Sequence, residues 1–129
     1  MKPHFIRRNF LTLSFFICSI ALLQAQDPVK LAPNKLKVIL ENDTVRVFEA
    51  RLQPGDKLPM HSHPKSIAYF MSDFKLKSTS ANGKVVEGEK KKGEIAWRDP
   101  MQHQEENTGR TEAYVLVIEF KNMKNKGEK

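Results

Sequence analysis

Two histidines one residue apart, His61 and His63 in "GDKLPMHSHPKSIAYF", are the side chains of this sequence best spaced for metal chemistry. Side chains alternate across an extended strand, so both imidazoles face one way while Ser62 faces the other. Two imidazoles on one face can converge on a single ion at metal-to-nitrogen distances of about 2.0 to 2.1 Å. A third histidine, His103, follows in "PMQHQEENTG", and the fourth, His4, sits near the N-terminus. Three neutral imidazoles accept a divalent transition metal, with iron, zinc, manganese, copper and nickel all suited to the donor set.

Nothing after "HSH" on that stretch supplies an acid that would offset the charge of such an ion. Two arrangements follow. In one, three neutral histidines hold the ion and leave positions open for water and an anionic ligand. In the other, Glu105 supplies the carboxylate, as a ligand or as a catalytic acid or base beside the ion; it lies two residues after His103, in the same alternation that pairs His61 with His63. An inward carboxylate is stabilised beside a cation and costly without one, so an inward Glu105 requires a positive group facing it. Tyr69, Arg51, Arg98 and Gln102 are candidates for the mouth of such a site, where an arginine would orient a carboxylate substrate through two parallel hydrogen bonds. Glu106 is expected to point to water, and Phe70 and Trp97 to pack in the core.

The elements that must position these residues are short apolar-alternating segments separated by turn residues. "KLKVIL" (Lys35 to Leu40) leads through "ENDT" to "VRVFEARL" (Val45 to Leu52), and Pro54-Gly55-Asp56 makes the next turn. "KLPMHSH" and "SIAYFM" follow as strands. "FKLKSTS" and "GKVVEGE" flank Asn82-Gly83, a hairpin signal. "GEIAW" precedes a polar loop through Pro100, and "AYVLVIEF" (Ala113 to Phe120) reads as a well-buried strand. Seven to nine strands and no helix predict an all-β, single-domain β-barrel or double-sheet jelly roll, whose closure protects the sheet edges.

The chain has 129 residues, 40% apolar and 29% charged, enough for one domain. Residues 1–26 read as a secretory signal peptide: Lys2, Arg7 and Arg8, then an apolar run of 14 residues from Phe10 to Leu23, then Ala25. That run is shorter than the roughly 20 residues of a membrane-spanning helix, so a stable membrane anchor is not expected. "RRNFL" also resembles a twin-arginine signal, whose cargo crosses the membrane folded. The expected organisation is a signal peptide over 1–26, a lead-in over 27–34, the barrel over 35–121 and a basic tail over 122–129, in a bacterial protein that is periplasmic or secreted. Cys18, the single cysteine, departs with the signal, which excludes disulfides, a thiolate zinc site and a cysteine nucleophile from the mature chain.

Of the formal charge of +7, the signal contributes three basic residues and no acid, leaving +4, much of it in Lys90-Lys91-Lys92 and the tail. Without an interleaved aromatic face this is a solubilising surface and not a nucleic-acid reader. There is no phosphate-cradling glycine loop and no Ser-His-Asp set.

The motifs resemble those of the cupin superfamily. "GDKLPMHSH" is similar to its first motif, a Gly, five residues and His-x-His, and "HQEEN" to the His-x-x-x-Asn end of its second, whose opening Gly is matched by Gly93. The resemblance spans about Lys35 to Lys121. It implies a cupin-type β-barrel with His61, His63 and His103 as metal ligands, Asn107 tying down the loop after His103, and Asp73 in place of a family Gly, with a left-handed backbone. The resemblance places the family's Glu at Ile67 or Ala68, or at Ser66 in another alignment, and it is missing there; Pro100 lies one residue late. As an enzyme such a barrel would be a metal-dependent dioxygenase or hydrolase acting on a small anionic substrate, and it could pair as a homodimer. The alternative is a non-catalytic module that stores a metal or binds a small ligand.

Overall fold

The computed structural model describes residues 26–121. The signal expected over 1–26, apart from Gln26, and the basic tail over 122–129 lie outside the described residues. The described chain begins with one helical turn, α1 (Pro28–Leu31), and continues as nine strands: β1 (Leu36–Glu41), β2 (Val45–Leu52), β3 (Lys57–His63), β4 (Ser66–Phe70), β5 (Phe74–Ser80), β6 (Val85–Lys90), β7 (Ile95–Arg98), β8 (Met101–Asn107) and β9 (Ala113–Phe120). The strands form two antiparallel sheets, one in the order β1-β2-β9-β4-β7 and one in the order β3-β8-β5-β6. This is the expected all-β double-sheet barrel.

Two expectations about the elements are corrected. Helix α1 exists because Asp27 caps it, its carboxylate accepting from the Val29 amide at 3.0 Å, and Pro28 supplies a preset φ at the first turn. Four residues are too few to show a helical period. Strand β8 occupies the stretch read as a polar loop; it lacks the apolar alternation of a core strand because its inward positions, Met101, His103, Glu105 and Asn107, carry mostly polar side chains.

Phe48, Leu52, Leu58, Phe70, Phe74 and Val117 form the heart of the core between the sheets. Phe70 packs there as expected, edge-on to Phe74 at 5.5 Å. Trp97 does not: it is 53% exposed, because the alternation that turns Arg98 inward turns Trp97 onto the outer face of β7, against Phe120 at 5.8 Å. Asp73 does not take a left-handed backbone either, since among the described residues only Gly55, Gly83 and Gly93 have positive φ. Its carboxylate instead accepts the Lys92 amide at 2.7 Å, fixing the turn that Gly93 completes. Among the described residues no helix is long and apolar enough to cross a membrane.

Candidate metal centre

Strand β3 would present Leu58 and His61 on opposite faces if its pleat were regular, since they are three residues apart. A bulge between them resets the alternation, so that Leu58, His61 and His63 are all buried. Pro59 sits in that bulge, where its missing N–H costs no ladder bond, and its carbonyl accepts from His61 Nδ1 at 2.7 Å. Across the sheet His61 pairs in register with His103 of β8.

The three imidazoles form a compact triangle, with ring centroids 4.6 Å apart for His61 and His103, 4.8 Å for His61 and His63, and 5.3 Å for His63 and His103. Their candidate ligand nitrogens all lie within 4.8 Å of one another. Each Nδ1 faces an oxygen: the Pro59 carbonyl for His61, a Glu119 carboxylate oxygen at 2.7 Å for His63, and the Ser78 hydroxyl at 3.0 Å for His103. Such contacts fix ring orientation and direct Nε2 inward, the arrangement in which metal-bound histidines are held. Nε2 of His61 and of His103 are buried without a hydrogen-bond partner. A buried orphan nitrogen costs on the order of 1 to 3 kcal/mol, and two beside each other mark a place where the fold leaves lone pairs for a guest.

Electrostatics keep those lone pairs free. Burial pushes the His103 imidazole down to about 4, with His61 and His63 adding to the effect. Burial likewise lowers His61. A neutral imidazole is the form that binds a metal.

Glu105 faces inward. Its side chain is 11% exposed, and one carboxylate oxygen lies 3.5 Å from His103 Nδ1 and 3.8 Å from Arg98 Nη1. Burial alone would raise its pKa, but His103 and Arg98 outweigh burial and hold the carboxyl below its ordinary value. With His103 neutral near pH 7, the standing positive charge is that of Arg98, the facing cation an inward Glu105 requires. His61, His63, Arg98 and Glu105 line a cavity of about 20 Å³, room for about one water, whose remaining lining is apolar and includes Phe48, Leu58 and Phe74. Gln102 is exposed, on the face of β8 opposite His103, and borders a surface hollow instead. Tyr69 alternates with the buried Ala68 and Phe70 and so points away from the cavity. Arg51 is also outside it, bound to Glu112 at 2.7 Å and stacked on Tyr114 at 3.6 Å. Asn107 is buried and donates to the Leu52 and Thr111 carbonyls at 2.8 Å each, closing the loop after β8.

Sequence reasoning missed Glu119. It lies inside the apolar run "AYVLVIEF", at the end of the alternation Ala113, Val115, Val117 that faces the core, and its side chain is 3% exposed. A lone acid in phase with a buried face was the available sign. Glu119 sits in register between Arg46 of β2 and Ser66 of β4. Ser66 is one of the positions where the absent acid would stand, so the chain places its carboxylate one strand over. An acid at Ser66 would oppose Glu119 directly, a destabilising like-charge pair.

No protein-family model matches the sequence, and no curated protein matches it. Among solved structures, a cupin domain from Bordetella pertussis Tohama I superposes with a TM-score of 0.63 at 26% identity, covering 67% of this chain and 92% of that one. The chain is a cupin-superfamily protein. A conserved protein with a double-stranded β-helix domain from Klebsiella pneumoniae matches this cupin at 25% identity and a TM-score of 0.54, over 64% of this chain and 71% of that one. A cupin-like protein from Thermotoga maritima shares the fold at 18% identity, with a TM-score of 0.54 over 67% of each chain.

Proposed function

We propose that this cupin is an exported protein that holds one divalent transition-metal ion through Nε2 of His61, His63 and His103 and acts on a small anionic substrate by oxygen-dependent or hydrolytic chemistry. The observation that carries the reading is the pair of buried, partnerless Nε2 atoms on imidazoles whose Nδ1 atoms are already engaged. The ion would supply Lewis acidity at the floor of the cavity.

The chain's own residues supply the rest. Asp27, Glu105 and Glu119 against Arg46 and Arg98 leave one net negative charge around the triad, which a dication converts to one net positive charge. An anion would then be favoured beside the three imidazoles. Arg98 is placed to bind a carboxylate there, and Glu105, released from Arg98 by that anion, is placed to accept a proton. The apolar wall excludes bulk water. A cavity of about 20 Å³ favours a second reading, a barrel that holds a metal or small ligand without turnover, because a substrate larger than a few atoms would have to engage the ion from the mouth.

Elemental analysis of the purified chain beside a His61→Ala variant tests the site. One metal ion per wild-type chain and none in the variant is expected; equal metal in both would overturn the assignment.

A further inference from the structure

A chain of charged contacts leaves the triad on the side away from the cavity and ends outside the barrel. His63 Nδ1 donates to one oxygen of Glu119 at 2.7 Å. The other oxygen of Glu119 accepts from Arg46 Nε at 2.8 Å and Nη2 at 2.6 Å. Arg46 Nη1 then donates to Asp27 at 2.8 Å. Asp27 uses its other carboxylate oxygen to cap α1.

We infer that Asp27 is a positioning residue of the metal centre, acting through Arg46 and Glu119 to set the orientation and donor strength of His63. The inference rests on the metal reading proposed above. Glu119 can hold His63 Nδ1–H firmly only while its second oxygen is engaged elsewhere, and Arg46 can stay beside a buried carboxylate only if its remaining N–H groups are also satisfied. Arg46 is fixed further by its guanidinium over Phe48, 5.6 Å from the ring centroid, and Phe48 in turn stacks on His63 at 6.1 Å. Removing the charge of Asp27 loosens the outer end, and the effect reaches His63 along a path with no contact to the ion. The lead-in ahead of the barrel is thereby part of the site.

Asp27→Asn is the informative variant because Asn caps a helix as well as Asp does, so α1 is kept while the ion pair is lost. Zinc is titrated into the metal-free full chain against a competing chelator, for wild type, Asp27→Asn, Asp27→Glu, Glu119→Gln and the Asp27→Asn/Glu119→Gln double variant. Glu119→Gln is expected to weaken zinc binding about 10-fold to 100-fold, and Asp27→Asn by a smaller factor of about three to ten. Asp27→Glu should restore the wild-type value to within about twofold, and the double variant should be no worse than Glu119→Gln alone. In the metal-free protein, nitrogen-15 NMR should show His63 as the Nδ1–H tautomer in wild type and as a mixture in Asp27→Asn. Wild-type zinc binding and an unchanged tautomer in Asp27→Asn would overturn the inference, as would an Asp27→Asn loss that adds in full to that of Glu119→Gln. If wild type takes up no zinc, the metal reading fails, while the tautomer measurement still decides whether Asp27 governs His63.

Discussion

Two carboxylates flank the histidine triad, and they are held in opposite ways. Glu119 is bonded at both oxygens, at 2.7 Å to His63 and at 2.6 and 2.8 Å to Arg46, and is sealed between sheets. Glu105 borders the cavity and meets its neighbours at 3.5 and 3.8 Å, beyond good hydrogen-bond length. A carboxylate with all its bonds made is a strut. One with its bonds unmade keeps its reactivity for something that has yet to bind.

Removing the strut should have the largest effect. Glu119→Ala leaves the half-buried Arg46 with Asp27 alone and the buried His63 without its acceptor, and should cost about 3 to 5 kcal/mol in chemical denaturation of the metal-free protein. Glu105→Ala, which breaks only the longer contacts at 3.5 and 3.8 Å, should cost clearly less. Equal losses would erase the distinction between the two acids.

Acid should strain both sides of the triad next most strongly. His103 titrates near 4 in the fold and at about 6.5 unfolded, and His61 is lowered in the same direction. Between those values the unfolded chain binds more protons, so the stability of the metal-free protein is complete above about 6.5 and is lost as the pH falls toward 4. For His103 the difference amounts to roughly 3 kcal/mol. Glu105, held below its ordinary value, adds a loss in the same direction at still lower pH. Thermal melts across this range should show the decline, and a midpoint flat from pH 7 to 4 would contradict a neutral buried triad. Metal should shift the decline to lower pH, because the ion competes with protons for the same nitrogens.

The sequence made one side of this comparison legible and hid the other. Strands β2, β3, β5 and β9 have the bounds read from the sequence, although the bulge in β3 could not be read from its pattern. His61, His63 and His103 were readable because histidine at a two-residue spacing is rare enough to stand out, and Glu105 because it keeps phase with His103. Glu119 was hidden by its own neighbours: an apolar run invites averaging, and a single acid inside it reads as noise unless its phase is followed. Its partner Arg46 belongs to a different strand, 73 residues away in the chain, and only the sheet register joins them. Arg98 was suggested for the mouth, but its facing acid could be named only once β7 and β8 were seen in different sheets. Polar composition concealed β8 for the same reason that it makes β8 useful, since its inward side carries chemistry where other strands carry packing.

The smallest expected effect is also the one that separates structure from function most finely. A double-mutant cycle measures the coupling of each acid with its arginine: Glu119 with Arg46, and Glu105 with Arg98, using Gln and Met replacements to keep side-chain volume. The first pair is short and enclosed, and should couple by about 2 to 3 kcal/mol; the second, 3.8 Å apart with side chains 11% and 17% exposed, should couple by under about 1 kcal/mol. Weak coupling is what an anion-binding arginine requires, because an incoming carboxylate must replace Glu105 on Arg98, and a tight pair would resist that exchange. Arg98 would then be free to select the ligand, and Glu105, freed in the same step, would lie beside it as a base. A coupling as large as that of Glu119 and Arg46 would instead make the Glu105 side a second strut and leave the barrel a plain metal holder.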